Sequence, residues 1–269
     1  MQVVTESDVL NSDSIKEGLH TRILGKEVYC FRETDSTQTV AQALANRGVG
    51  EGTVVLAEGQ ARGKGRMGRS WFSPPGEGIW ASLILRPPIS PSQAGRVSLT
   101  AALAVAEAIR TIAGLPALIK WPNDILINDK KAGGILLEIS AEMDRVKFII
   151  LGIGINVNQD KFPGELKGKA TSLKKEKGKE ISRLSLLQEV LRRFDNYYFS
   201  LKGGSFEGIT DRWRKLSATL ERQIRVSCQG EIMEGLATAI DSDGALLLRL
   251  DSGFVKRLVG GEVRVISDE

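Results

Sequence analysis

A single histidine, His20, and two cysteines, Cys30 and Cys228, are all that 269 residues offer of those chemistries. A serine-histidine-aspartate triad needs histidine as its base, and catalytic zinc is usually held by several histidines. His20 stands outside any cluster of reactive residues, so both classes are set aside. The cysteines are distant in sequence and lack metal-ligand spacing. Both are expected to be buried, small apolar residues in a reduced setting. No apolar run approaches the roughly 18 residues of a membrane span. The first residues, Met1-Gln2-Val3-Val4-Thr5-Glu6, are polar rather than signal-like, so a cytoplasmic location without a membrane partner is expected.

Charge of one sign is not in large excess. The net charge is +4 and the pI about 9.0, which admits an acidic partner without demanding nucleic acid. The hydrophobic share of 42% and charged share of 26% are those of an ordinary globular chain. At 269 residues the chain exceeds one typical domain, and one large domain plus a small one is the natural expectation.

What the sequence has in concentrated form is Gly63-Lys64-Gly65-Arg66-Met67-Gly68-Arg69, directly after the apolar run Thr53–Ala57. Glycine lets backbone N–H groups approach an anion, and the cations neutralise it. The loop imitates two phosphate motifs and satisfies neither. A dinucleotide fingerprint needs the third glycine to open a helix, but Arg69-Ser70-Trp71-Phe72-Ser73-Pro74-Pro75-Gly76 cannot begin one. The acidic residue expected about 20 positions on is missing as well. A P-loop needs a hydroxyl residue after the lysine, and Gly65 stands there. A solvated surface turn is the plain alternative.

Along the chain, Ser14 to Leu19 can form a pair of helical turns. Asp35 or Ser36 caps a helix carrying Val40, Ala41, Leu44 and Ala45, which ends at Gly48. Strands are expected at 53–58 and 78–85, and a helix from Ser92 to Ala113 between Pro91 and Gly114. Strands are expected at 117–121, 124–128, 133–140 and 146–155, and the turns Asn128-Asp129-Lys130 and Glu142-Met143-Asp144 between the last three suggest an antiparallel meander. The charged stretch 167–180 reads as a loop, and 183–201 and 205–216 as helices. Residues 223–267 alternate with turn signals at Gln229-Gly230, Asp243-Gly244 and Ser252-Gly253, the pattern of a small β-barrel.

Four segments belong together: Thr34-Asp35-Ser36-Thr37-Gln38; Gln60 with the loop 63–69 and Trp71-Phe72-Ser73-Pro74; Lys120-Trp121-Pro122-Asn123-Asp124 followed by Lys130-Lys131-Ala132-Gly133-Gly134-Ile135-Leu136; and Gly152-Ile153-Gly154-Ile155-Asn156-Val157-Asn158. In this order they resemble the signatures of the biotin protein ligases, also called biotin–[acetyl-CoA carboxylase] ligases. The resemblance runs from about Leu10 to the C-terminus. It implies an α+β fold with a mixed or antiparallel sheet and helices, like class II aminoacyl-tRNA synthetases, plus a C-terminal SH3-like β-barrel. The expected division is an N-terminal extension at 1–27, a catalytic domain at 28–218 and the barrel at 219–269.

The resemblance also implies the chemistry. Biotin is activated by ATP, with Mg²⁺, as biotinyl-5′-adenylate and passed to a lysine of a biotin carboxyl carrier protein or domain. A ureido ring and an apolar bicycle ask for fixed neutral hydrogen-bonding groups and nonpolar walls. Ser36, Thr37, Gln38 and Gln60, with Lys64, Gly65, Arg66, Lys131, Gly134 and Gly154, are the expected biotin site. Gly133 and Gly152 offer further close approach, unless these glycines only relieve strand packing. Arg66, Arg69, Trp71, Asn123, Lys131 and Asn156 are expected around ATP. Lys131, Arg66, Lys64 and Asp124 are the catalytic set, with Lys131 bridging the biotin carboxylate and the α-phosphate. Asp124 has two roles open to it, a magnesium ligand or the orienter of the acceptor lysine. Ser36 has a plainer reading as a helix cap, Trp121 as core, and Lys120 as a partner of Asp124. Relatives usually carry arginine where Lys64 stands, so the bidentate fork is lost there.

A lipoate or octanoate ligase is the nearest rival, and the loop with Trp71-Phe72-Ser73-Pro74 together with Lys120–Asp124 favours biotin. No DNA partner is expected, because about 35 residues before the first motif are too few for a helix-turn-helix domain. A homodimer is a state that the family admits.

Overall fold

The computed structural model describes residues 9–228 and 230–266. A seven-stranded sheet forms its larger part. The strands are β1 (Val28–Thr34), β2 (Val54–Gln60), β3 (Gly78–Leu85), β4 (Leu118–Lys120), β5 (Asp124–Ile127), β6 (Lys130–Glu142) and β7 (Arg145–Asn156). They lie in the order β1-β2-β3-β7-β6-β5-β4. Only β1 and β2 run parallel; the expected meander holds over β5, β6 and β7, and β4 extends it.

Alternation along these strands feeds two cores. Ile79, Ala81 and Leu83 of β3, and Ile149, Leu151, Ile153 and Ile155 of β7, enter the main core with α3 (Gly95–Ile112), α5 (Arg183–Lys202) and α6 (Glu207–Lys215). On the opposite face Val55, Ile84, Phe148 and Ile150 meet Ala41 and Ala45 of α2 (Thr37–Asn46). That face then changes character. Two-residue periodicity puts Gly152, Gly154 and Asn156 in line with Phe148 and Ile150. Under α2 the strand carries bulk; beyond it the strand carries glycine, and the sheet is left hollow.

The remaining strands, β8 (Gln223–Cys228), β9 (Glu231–Ile240), β10 (Leu246–Arg249), β11 (Val255–Leu258) and β12 (Glu262–Val265), form an antiparallel sheet in the order β11-β10-β9-β8-β12. Asp243-Gly244 and Ser252-Gly253 occupy its turns as expected, while Gln229 lies outside the described residues, as do 1–8 and 267–269. Ile224, Val226, Leu246 and Leu248 join the main core. The Trp121 indole N–H donates to the Gly244 carbonyl at 3.2 Å, and Arg96 pairs with Asp243 at 3.0 Å. The two sheets are therefore bound side to side. No helix among the described residues is long and apolar enough to cross a membrane.

Several expectations need correction. Strand β1 carries no clear sequence signal because it is the sheet edge and alternates poorly in burial. Its position also leaves Cys30 exposed, and Cys228 is only partly covered, so neither is the buried residue expected. Packing around the Cys30 sulfur, and then the Glu58 carboxylate, still push that thiol up to about 11. The stretch 167–180 is not all loop. Ser172 accepts the Lys175 N–H as an N-cap, and α4 (Leu173–Lys177) follows until Gly178 turns left-handed at φ 78°. Helix α3 starts at Gly95, later than expected, because Pro91–Gln93 form a separate 3₁₀ turn. Near the N-terminus, α1 (Ser12–Lys16) forms under an Asn11 cap instead of over 14–19.

Leu10, Ile15 and Leu24 lie in the main core. Asp195 of α5, 1% exposed, accepts the backbone N–H groups of Arg22, Ile23 and Leu24 at 2.7–2.9 Å. Replacing it strands three donors at once. Asp195→Ala is expected to cost about 3 kcal/mol or more, judged from charged hydrogen bonds. Urea unfolding measures this; a loss below about 1 kcal/mol would show that water reaches these groups freely.

Candidate functional site

The hollow beyond α2 is a cavity of about 320 Å³. Of the site residues expected from the sequence, Ser36, Thr37, Gln38, Gln60, Lys64, Gly65, Arg66, Arg69, Trp71, Asn123, Asp124, Lys131, Gly134, Gly152, Gly154 and Asn156 line it, whereas Gly133 does not and packs toward Ile125 instead. They come from the start of α2, from β2, β5, β6 and β7, and from the glycine-basic loop with its flanks, segments separated by up to 120 positions.

One end is neutral and polar. The Thr37 backbone N–H donates to Gln60 Oε1 at 2.9 Å, and Thr37 Oγ1 lies 2.9 Å from Ser82 Oγ. Ser82 donates to Gln38 Oε1 at 2.9 Å, and Gln38 Nε2 donates to the Ile150 carbonyl at 3.1 Å. Gln38 is thus held by the protein at both ends of its amide. Ser36 occupies the N-cap position of α2, yet its side chain makes no capping bond. Its hydroxyl is buried and has no partner among the described residues. The plain capping reading fails, and an unmet polar atom faces a ligand-sized space. Such a group normally costs 1–3 kcal/mol, a cost that a bound polar ligand removes.

The other end is ionic. Lys131 Nζ sits 2.5 Å from Asp124 Oδ1. The chain around Lys131 is clamped on both sides: its N–H donates to the Lys169 carbonyl and its own carbonyl accepts from Thr171, both at 2.9 Å. Asp124 therefore pairs with Lys131 and not with Lys120, although Lys120 opposes it across the β4–β5 ladder. The Asn156 amide donates to the Thr171 carbonyl at 3.0 Å, tying β7 to the same segment. Lys64, Arg66, Arg69, Lys120, Lys131 and Lys169 line the cavity against only two carboxylates, Asp124 and Glu262. That excess favours an anion.

The glycine-basic loop is a miniature hairpin standing over this space. Trp71 N–H donates to the Gly63 carbonyl at 2.8 Å and Gly65 N–H to that of Arg69 at 2.7 Å. Its tip turns through Met67 (φ 55°) and Gly68 (φ 74°). Each of its cations has an oxygen of another segment nearby, and Arg66 makes the closest contact. Arg66 donates to Asn123 Oδ1 at 2.7 Å, Arg69 lies 3.4 Å from Glu262, and Lys64 lies 3.9 Å from Glu138. Burial lowers the Arg66 guanidinium from its ordinary pKa, and the nearby Asp124 charge opposes the shift. The Trp71 ring rests on the glycine floor, where a methyl at Gly154 would lie 2.6 Å from it and one at Gly134 3.0 Å. Lys131 Nζ stands 5.2 Å from the ring centroid. The Trp71 indole N–H is buried without a partner among the described residues. Trp121, 1% exposed, belongs to the core as its plainer reading held, while one edge reaches the cavity.

Among the lining residues, sequence reasoning missed Ser82, Phe162, Lys169 and Glu262. Ser82 did carry a signal, the lone polar residue in the apolar run Gly78–Leu85. Phe162 and Lys169 sit in irregular chain, and Glu262 arrives from the far sheet, so nothing local announced them.

Comparison with known proteins agrees with this geometry. Residues 30–156 match the biotin/lipoate A/B protein ligase family, and residues 219–265 match the biotin protein ligase C-terminal domain. A bifunctional ligase/repressor BirA from Bacillus spizizenii is 40% identical over 266 residues, spanning 98% of this chain and 82% of that protein. A biotin–[acetyl-CoA-carboxylase] ligase from Paracoccus denitrificans is 34% identical over 82% of this chain and 93% of its own. The biotin protein ligase of Aquifex aeolicus, solved with biotin and ATP, superposes with a TM-score of 0.77 at 30% identity, covering 90% of this chain and all of that one. With both sheets, both family segments and near full-length relatives in agreement, the chain belongs to the biotin protein ligase family.

Proposed function

We propose that the chain joins biotin to AMP and then transfers it to the ε-amine of a lysine on a carboxyl carrier protein, using residues 28–218 for catalysis, with Gly261, Glu262 and Val263 of the C-terminal domain walling one side of the site. The observation that carries this reading is the split character of one cavity. An unspent hydroxyl and amides lie at one end, and converging cations at the other. From Gly152, beside Gln38, to Asn156, beside Lys131, strand β7 advances four residues, about 13 Å at the usual strand rise. Along that line the acid's ring lies against Ser36, Thr37 and Gln60, and its carboxylate points to Lys131.

In the first step a biotin carboxylate oxygen attacks the α-phosphorus of ATP. A new P–O bond forms, the bond to the bridging oxygen breaks, and pyrophosphate leaves. Negative charge crowds on the carboxylate, the α-phosphate and the leaving group. Lys131, Arg66, Arg69 and Lys64 meet it, and the work is mostly positioning and electrostatics. Asp124 now holds Lys131 in place and would release it to the ligand. In the second step the neutral carrier amine attacks the acyl carbon, AMP departs, and the amine's proton is taken up. Asp124 is the nearest carboxylate to Lys131 and is assigned that orienting role. Trp71 is assigned to the nucleotide, with Asn123 and Asn156 as polar contacts around it.

Magnesium belongs to this reading as a companion of the nucleotide. No group of three His, Cys, Asp or Glu among the described residues forms a resident metal site. Magnesium usually takes one or two carboxylates plus phosphate oxygens, and Asp124 is the carboxylate that would hold it here. When bound it neutralises phosphate charge. A lipoate ring would leave the Ser36 hydroxyl unmet, whereas a ureido group can bond it, so the polar end favours biotin. Exchange of labelled pyrophosphate into ATP tests this. Exchange dependent on biotin supports the reading; exchange with lipoate alone, or none with either acid, refutes it.

A further inference from the structure

The polar end of the cavity and the loop above it are joined by one hydrogen-bonded chain whose direction is fixed throughout. It starts at the first turn of α2, where the Thr37 backbone N–H, a donor only, points to Gln60 at 2.9 Å. That contact compels the Gln60 carboxamide to face Thr37 with its oxygen, and its nitrogen therefore faces Ser73. Gln60 Nε2 donates to Ser73 Oγ at 2.8 Å. Having accepted there, Ser73 has a single hydrogen to place, and it goes to the Trp71 carbonyl at 3.1 Å. The Trp71 N–H closes the base of the hairpin on Gly63 at 2.8 Å. Ser73 is 6% exposed, so water does not compete for these bonds. The close fit extends to Gly63, where a methyl would collide with the Trp71 carbonyl and lie 2.7 Å from Ser73 Oγ.

We infer that Ser73 is a positioning residue that transmits occupancy of the polar end, through Gln60, to the base of the cationic hairpin and so sets how firmly the hairpin closes. The inference rests on the biotin reading above and adds to it a residue that touches no reacting atom. Gln60 keeps one amide hydrogen beyond the bond to Ser73. A ligand that engages this hydrogen, or shifts Thr37, pulls on the whole chain. The cations Lys64, Arg66 and Arg69 ride on the hairpin that Ser73 anchors, so filling the first subsite prepares the second.

Those three cations are also trypsin sites, which supplies a readout independent of activity. Biotin affinity is measured by titration calorimetry, and the cleavage rate within 63–69 is followed by mass spectrometry with and without biotin. Wild-type protein is expected to bind biotin and to be cut more slowly when it is bound. In Ser73→Ala, biotin should still bind within about fivefold, the value of one neutral hydrogen bond. The slowing of cleavage, about 5- to 150-fold for typical coupled sites, should fall toward onefold. Ser73→Thr, which restores a hydroxyl, should return it. Protection in Ser73→Ala equal to that of wild type would overturn the relay, as would wild-type protein that binds biotin yet is cut no more slowly. Loss of biotin binding altogether in Ser73→Ala would make Ser73 part of the pocket wall and overturn it too. Wild-type protein that binds no biotin would instead remove the ligand reading on which the relay stands.

Discussion

Lys131→Ala is expected to reduce biotin-dependent pyrophosphate exchange by about 10²- to 10³-fold, the usual cost of deleting one preorganised group that meets transition-state charge. Lys131 is the cation most firmly placed in the cavity, with its backbone held on both sides by the segment 169–171 and its ammonium 2.5 Å from Asp124. Stability should change little. The pair is partly exposed, with the side chains 34% and 24% accessible, and such pairs contribute about 1 kcal/mol or less. A folded, biotin-binding variant without exchange is the expected outcome. Exchange near the wild-type rate in Lys131→Ala would remove this residue from the chemistry.

The second large effect is expected at the cavity floor. Gly154→Ala puts a methyl 2.6 Å from the Trp71 ring and 2.7 Å from its nitrogen, so the indole must lift. Overpacking of this kind costs about 1–3 kcal/mol, equivalent to roughly 5- to 150-fold in affinity. Because Trp71 closes the base of the hairpin, the loss should fall on nucleotide affinity as well as on biotin. Gly164→Ala, where a methyl would meet nothing within 4 Å, is the matched control. Equal affinities for the two variants, read by calorimetry with biotin and a non-hydrolysable ATP analogue, would mean that Trp71 moves without cost and that the floor is not a recognition surface.

How much of this was legible before the structure follows from what local chain can encode. Strand β3, eight buried residues in a row, and helix α3, rich in alanine, announce themselves because their burial is uniform. Strand β1 does not, since an edge strand has neither alternation nor a continuous apolar run. The site residues were legible as motifs because glycine, lysine and asparagine in those spacings have few other uses, and all but Gly133 line one cavity. Their partners were not. That Asp124 would hold Lys131, that Ser36 would be left uncapped, and that Glu262 would reach Arg69 depend on the packing of distant segments. Spacing along the chain carries no record of that. Cys30 shows the same limit in reverse: its residue type predicted burial, and its place on the sheet edge decided otherwise.

The central claim is that this cavity makes an activated biotin and hands it to a carrier lysine. It is tested most directly by incubating the protein with biotin, magnesium-ATP and a biotin carrier domain, and reading the carrier by intact mass. One biotinyl group added to one lysine, only when ATP is present, is the result predicted. A carrier whose mass never changes, while biotin and ATP are demonstrably bound, would contradict it.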